Sequence, residues 1–183
     1  MGAIDVGSDA VDRAEIWQVS TYTLLNKGNV ANDTGNITSV EIWVNENTTG
    51  TIVATFFGSG TDWTSRGSAT IGAVTAGSKQ TFSGLSFAVE TGDIIGMYVG
   101  SAGKMEIGSP NDAGMLYLSG DQIDEVQHTY TDYGAVRAIS LYGIGVTTGW
   151  SNIASVNGSA SGDIAKVKGV AVADVAKVNG VAV

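Results

Sequence analysis

The chain has 183 residues, of which 43 % are hydrophobic and 15 % charged, with 26 Gly, one Pro and no Cys. That composition suits one domain with a modest appendage and a real core, and it excludes disulfides, thiolate metal sites and a thiol nucleophile. Acidic residues outnumber basic ones by 18 to 9, so nucleic acid meets repulsion over most of the surface, and no apolar run reaches the roughly 20 residues of a membrane-spanning helix.

At the start of the chain, residues 1–10 lack the basic opening and apolar run of a secretory signal, so synthesis in a cytoplasm without such a signal is expected. From there to Trp150, stretches of β-forming residues recur between turn clusters. Strands are expected at 16–25, 37–45, 51–57, 68–74, 79–87, 93–99, 104–107, 115–118 and 136–145. The clusters at 45–50, 58–60, 75–77, 90–92 and 108–114 are rich in Gly, Asn, Asp, Ser and Thr, which accept left-handed or Asx-turn geometry. Within 37–45, Val40, Ile42 and Val44 share one face while Ser39, Glu41, Trp43 and Asn45 share the other, the pattern of a half-buried antiparallel strand. No stretch carries a clean helical apolar stripe over about a dozen residues. The expected fold is all-β: an antiparallel β-sandwich of jelly-roll type spanning residues 1–150.

All 14 aromatic residues lie at or before Trp150, which marks a boundary with a tail at 151–183. From Ile153 the sequence repeats with a period of 11, in units 153–163, 164–174 and 175–183, the last two residues short. The tail carries a net +1, leaving the body at −10. Asn179-Gly180 and Lys168-Gly169 sit between valine-bearing arms, and Asn-Gly is the strongest two-residue hairpin signal because both positions accept positive φ. One hairpin pairs Val178 with Val181 and Ala176 with Val183; the other gathers Ala165, Val167, Val170 and Val172. An 11-residue period also equals three helical turns of about 3.67 residues, but a Gly in every unit and Val in place of Leu weigh against a helix. Hairpins this small are marginal alone and call for a partner surface, so Val167, Val170, Val172, Val178, Val181 and Val183 are the candidate assembly residues.

Residues with chemistry are sparse. The one imidazole, His128, has Asp124 and Glu125 nearby to orient it, yet a lone His in a polar stretch is ordinarily solvated. Carboxylates at Glu15, Glu41, Glu90, Glu106, Asp121, Asp124 and Glu125 have no spacing that singles out an acid–base pair. No catalytic residue and no cofactor is expected; a structural calcium on Asn32–Asn36, Asn111-Asp112 or 121–125 is the one metal considered, and none of these matches an EF-hand loop. The sequons at Asn32, Asn36 and Asn47 mean little without a secretory signal. Trp43, Trp63, Tyr130 and Tyr133 are candidate ligand-binding residues: Trp43 alternates out of phase with the buried face, the others sit in loop-like stretches, and exposed rings stack on sugars.

The stretches Ile4-Asp-Val-Gly-Ser-Asp-Ala-Val-Asp-Arg13, Ala31-Asn-Asp-Thr-Gly-Asn-Ile-Thr-Ser-Val-Glu-Ile-Trp43, 68–85, Thr91-Gly-Asp-Ile-Ile-Gly96 and Ala138-Ile-Ser-Leu-Tyr-Gly143, together with the Ile-Ala-Lys-Val-Asn-Gly-Val type of tail repeat, resemble uncharacterised β-sandwich structural proteins of tailed bacteriophages and prophages. The resemblance covers nearly the whole chain and implies a virion-associated or surface-exposed structural protein, with no catalytic motif to carry over. The expected function is a noncatalytic, self-assembling subunit, as a virion decoration, fibre or tail-associated protein. Its expected partners are copies of itself, other virion proteins or a surface glycan, without nucleic acid or membrane. Rival readings are a carbohydrate- or receptor-binding module and an extracellular filament subunit that assembles by strand exchange.

Overall fold

A computed structural model describes residues 3–101, 103–108, 114–134 and 137–148, except the side chains of 18 and 19, together with the backbone of short paired segments in the tail. Among the described residues every regular element is a strand. In the body these are β1 (Ala3–Ser8), β2 (Glu15–Val19), β3 (Tyr22–Asn26), β4 (Gly35–Ile42), β5 (Thr48–Ser59), β6 (Asp62–Val74), β7 (Gln80–Val89), β8 (Ile94–Val99), β9 (Gly103–Ile107), β10 (Met115–Ser119), β11 (Gln127–Thr129), β12 (Thr131–Asp132) and β13 (Leu141–Thr147). One sheet has the order β1-β13-β4-β7 and the other β11-β6-β5-β8-β3-β10-β12, with all pairings antiparallel.

Lettering β1, β3, β4, β5, β6, β7, β8 and β13 as B to I turns the first sheet into B-I-D-G and the centre of the second into F-E-H-C. That is the strand order of a jelly roll, as the turn spacing and alternation predict. Two features extend it. The short β2–β9 ladder covers one end of the sandwich, tied on by isolated bridges from Met105 to Val44 and from Ile107 to Ile139. The larger sheet also curls back on itself: β11 pairs with β6 at one edge, β12 pairs with β10 at the other, and only Tyr130 separates the two short strands. This sheet is therefore a nearly closed barrel.

The curling gives the domain two apolar centres. The larger lies between the two sheets and includes Ile4, Val6, Leu24, Ile37, Val40, Ile42, Val53, Met97, Val99, Met105 and Leu141. The smaller fills the curled sheet from its other face, with Leu25, Ala54, Phe56, Trp63, Ile94, Leu116 and Tyr130. Period-2 alternation explains the division: Leu24 and Leu25, or Met115 and Leu116, are sequence neighbours that point to opposite faces, and both faces are covered.

The expected alternation in the fourth strand holds, with Val40, Ile42 and Val44 buried. Ile37 is also buried although its parity is opposite, because the ladder slips between Ile37 and Ser39 and makes Thr38 an extra residue. A β-bulge of this kind re-aims the strand by one residue. Gly84, at φ +77°, sits at the matching irregularity in β7, so Phe82 and Leu85 both reach the core from positions of opposite parity. The segment expected as one strand at 16–25 is two: Thr21 takes φ 56°, its amide donates to Val99 and its carbonyl accepts from Gly120, which turns the chain from the β9 ladder into the β8 ladder. Trp63, expected in a loop, lies inside β6.

One buried ion pair locks the corner between the sheets. Asp93, 2 % exposed, accepts from Arg66 Nε at 2.6 Å and Nη2 at 3.2 Å and from the Glu90 amide at 2.8 Å. Arg66 also pairs with Glu90 and lies 4.6 Å over the Phe57 ring. The Asp93 contacts hold the guanidinium in its charged form, its pKa raised.

Candidate functional site

Each repeat of the tail contains a two-stranded antiparallel ladder. The pairs are β14 (Ser155–Val156) with β15 (Ser159–Ala160), β16 (Lys166–Val167) with β17 (Val170–Ala171), and β18 (Lys177–Val178) with β19 (Val181–Ala182). In each, two residues separate the inner pair, so Val156 faces Ser159, Val167 faces Val170 and Val178 faces Val181. In sequence the intervening dipeptides are Asn157-Gly158, Lys168-Gly169 and Asn179-Gly180, and Asn-Gly is the pair that most readily accepts the positive φ of a two-residue hairpin. Among the described residues each ladder pairs only within itself. Of the candidate assembly residues, Val167, Val170, Val178 and Val181 sit in these ladders, whereas Val172 and Val183 lie outside the described residues.

Of the four candidate ligand residues only Trp63 and Tyr130 are brought together, and they meet in the interior. Trp63 is 8 % exposed with its indole N–H donating to the Gly60 carbonyl, and Tyr130 is 3 % exposed with its ring edge-on to Phe56 at 6.3 Å. Both belong to the smaller apolar centre, because the segment at 120–130 folds across the curled sheet and carries Tyr130 inward. Burial, with Asp124 and Asp121 nearby, pushes the Tyr130 phenol far above its ordinary range, and its hydroxyl has no hydrogen-bond partner among the described residues. Trp43 is half-buried, and its amide donates to the Ser140 carbonyl.

Tyr133 does join an aromatic cluster, with three rings that the sequence alone does not single out. Trp17 from β2 lies 5.5 Å from Tyr22 of β3, 5.1 Å from Tyr117 of β10 and 5.3 Å from Tyr133, and Tyr117 contacts both other tyrosines. The rings meet at 50 to 73°, the tilted and edge-to-face arrangements that aromatic quadrupoles favour. Trp17, Tyr22 and Tyr117 back onto the main core, while Tyr133 is 38 % exposed at the rim. Beside it Asp132 accepts from Lys27 at 2.9 Å and from the Gly134 amide, and both contacts hold its carboxyl below the usual range.

A polar cleft of about 440 Å³ opens between β1, the segment after it, and Tyr142 of β13. The Tyr142 hydroxyl donates to Asp5 at 3.2 Å, and burial together with Asp5, Asp9 and Glu41 raises its pKa. Arg13 crosses the cleft floor, donating to Ser140 Oγ at 2.7 Å and to the carbonyls of Gly108 and Asp9. Its backbone amide donates to the buried Glu106, which also accepts from Asn45.

No family model, curated protein or solved structure matches this chain.

The remaining sequence candidates are mostly engaged locally. His128 sits in β11 with Nε2 2.8 Å from Asp124 Oδ1, and that bond holds Asp124 below the usual carboxylate range. Asn32 bonds β1 through both ends of its amide, Asp33 accepts from the Thr34 amide, and Asp121 and Asp124 accept from the amides two residues on in Asx turns. Among the described residues no group of three or more His, Asp or Glu gathers for a metal; Asn111 and Asp112 lie outside them.

Proposed function

We propose that this protein is a noncatalytic structural subunit that assembles with copies of itself through its C-terminal repeats, as part of a virion or a comparable surface assembly. The observation that carries this reading is the threefold recurrence of one hairpin in a tail without aromatic residues. Two-stranded hairpins are marginal alone, and repeated ones gain stability only by stacking or by pairing with another surface. Among the described residues, both apolar centres draw on positions between Ile4 and Leu141. Jelly rolls serve capsid subunits and lectins alike, so the fold is compatible with assembly without deciding it.

Light scattering coupled to size exclusion, comparing the full chain with one ending at Trp150, tests the proposal. A defined oligomer or filament for the full chain and a folded monomer for the shorter one is the expected result. Two monomers would overturn it.

The aromatic cluster favours a second reading, a glycan- or receptor-binding module. An exposed ring such as Tyr133, backed by other rings, is suited to sugar stacking. Loss of glycan-array binding in Tyr133→Ala, with folding intact, is the result that would establish it.

A further inference from the structure

Sheet edges are where one chain can pair with another, and the edges of this jelly roll are treated unequally. At β1 the outward groups are consumed: the Gly7 amide donates to the Asn29 carbonyl, the Asp5 amide to Asn32 Oδ1, and the Ala3 carbonyl accepts from Asn32 Nδ2. No further strand can pair there without displacing those bonds. The opposite side differs. β7 ends its sheet, and β6 is paired on its second side only over Asp62–Thr64 by β11. Among the described residues, the backbone of 80–87 has no hydrogen bond beyond its ladder with β4, and that of 68–74 none beyond its ladder with β5.

These two open edges belong to the same corner. They touch near Gly67, where an added Cβ would stand 2.8 Å from the Ala88 amide, and they are joined by the turn at 75–79. Between those points Ala69 and Ile71 of β6 and Phe82 and Leu85 of β7 are half-buried, resting on the main core but still reached by solvent. Natural edge strands are guarded by Lys, Glu, Pro or strong bulges. Residues 67–89 hold one charged side chain, Lys79 in the turn, where the chain's 15 % would place about three, and they hold no proline. Only the Gly84 irregularity interrupts β7.

We infer that the open β6–β7 corner is the docking site for the repeat tail of a second copy, which adds a valine-bearing strand to the β7 edge. The inference rests on the assembly reading above and supplies the partner surface that reading leaves unnamed. Three observations select this occupant. The arms of the repeats are short β-forming strands whose ladders leave their outer sides unpaired among the described residues. Their valines match the apolar side chains of the corner, as strand addition requires: backbone bonds supply affinity and alternate side chains supply fit. The tail's net +1 against the body's −10 favours contact of a tail with a body over contact of one body with another.

The absence of cysteine makes a cross-linking test clean. Full-length Ser83→Cys, altered at an exposed position of β7, is mixed with a size-tagged full-length Ala182→Cys, altered in β19, and the mixture is oxidised. The expected product is a mixed disulfide dimer, at least tenfold more abundant than from the same tail variant mixed with Ala3→Cys on the guarded β1 edge. If the full chain oligomerises by light scattering and Ser83→Cys gives no more mixed dimer than Ala3→Cys, the corner assignment falls while the assembly reading stands. If the full chain is a monomer throughout, both fall. If a Ser83→Cys/Ala182→Cys double variant closes a disulfide within one chain and the mixture gives none, the tail returns to its own body and the second-copy assignment is wrong.

Discussion

Replacing Asp93 by asparagine removes one charge and leaves the shape of the side chain almost unchanged, so its cost reports the buried ion pair directly. In the native protein Oδ2 receives both Arg66 Nε and the Glu90 amide, and Oδ1 receives Arg66 Nη2. An amide nitrogen cannot accept a bond, so whichever way the new carboxamide is turned at least one of these donors faces another donor. Breaking one partner of a fully buried pair costs about 3–5 kcal/mol, and since Arg66 is 22 % exposed the cost here lies at the bottom of that range. The remaining Arg66 Nη1 contact to Glu90, at 2.8 Å, is to a largely exposed carboxylate and argues for the lower end, about 3 kcal/mol. For a domain of this size that is a fall in Tm of roughly 10 °C.

Urea unfolding followed by tryptophan fluorescence, with Glu41→Gln as the surface comparison, measures the effect. Glu41 meets Lys79 at 2.9 Å in an exposed pair and its loss should cost no more than about 1 kcal/mol. An Asp93→Asn cost below about 1 kcal/mol at unchanged m value would refute the reasoning. So would a double variant with Arg66→Ala whose cost equals the sum of the two single costs, since residues that share one ion pair must couple.

Four further outcomes are expected. Gly96→Ala should be among the most damaging single-methyl additions, since its Cβ would stand 2.5 Å from the Leu24 carbonyl oxygen; soluble, native-like protein with an unchanged urea midpoint would contradict the packing described. Phe56→Ala should cost about 3–5 kcal/mol by emptying the smaller apolar centre, read as a shift in the same urea transition. The raised phenols of Tyr130 and Tyr142 make alkaline pH destabilising: their contribution is complete below the unfolded value of about 10 and is lost as pH rises through the folded values, so Tm should fall above pH 10. Tyr130→Phe should leave stability at pH 7 unchanged or raised by up to about 1 kcal/mol, since it removes a hydroxyl with no partner among the described residues, and should flatten the alkaline fall; a loss above about 1 kcal/mol would mean that the hydroxyl is bonded.

The sandwich was legible because its signals are local. Alternation placed Val40, Ile42 and Val44 inside, Asn-Gly placed Val178 opposite Val181, and Gly, Asn and Asp clusters marked the reversals. What escaped is non-local. Tyr130 sits among polar residues and reads as a loop aromatic; it is buried because β11 and β12 reach opposite edges of one curled sheet, which no window of sequence reveals. Trp63 is hidden for the same reason, because it faces the interior that this curling creates. The aromatic cluster draws on β2, β3, β10 and the residue after β12, four places brought together only by topology. A weak signal existed at Trp17, an aromatic inside an expected strand, but nothing in the sequence tied it to Tyr117. β1 was missed although Ile4 and Val6, both fully buried, alternate with Asp5 and Gly7, because the run is short and holds only two β-forming residues.

The uneven treatment of the sheet edges bears on what selection has acted upon. Guarding an edge needs little: Asn32 and the Asn29 carbonyl close the outer side of β1, and β11 closes the near end of β6. A single lysine facing outward from β7 would discourage pairing at a cost of a few tenths of a kcal/mol, since surface substitutions seldom matter more. The body is acidic enough to repel another body, yet the charge is withheld from 67–89. An unguarded edge on a protein that works alone is an aggregation liability, whereas on a subunit it is a place for a neighbour's strand. The physical expectation is therefore that adding that lysine, as Ser83→Lys in the full chain, leaves the urea midpoint of the body unchanged and abolishes assembly; assembly that persists at the wild-type concentration dependence would remove the edge from the account.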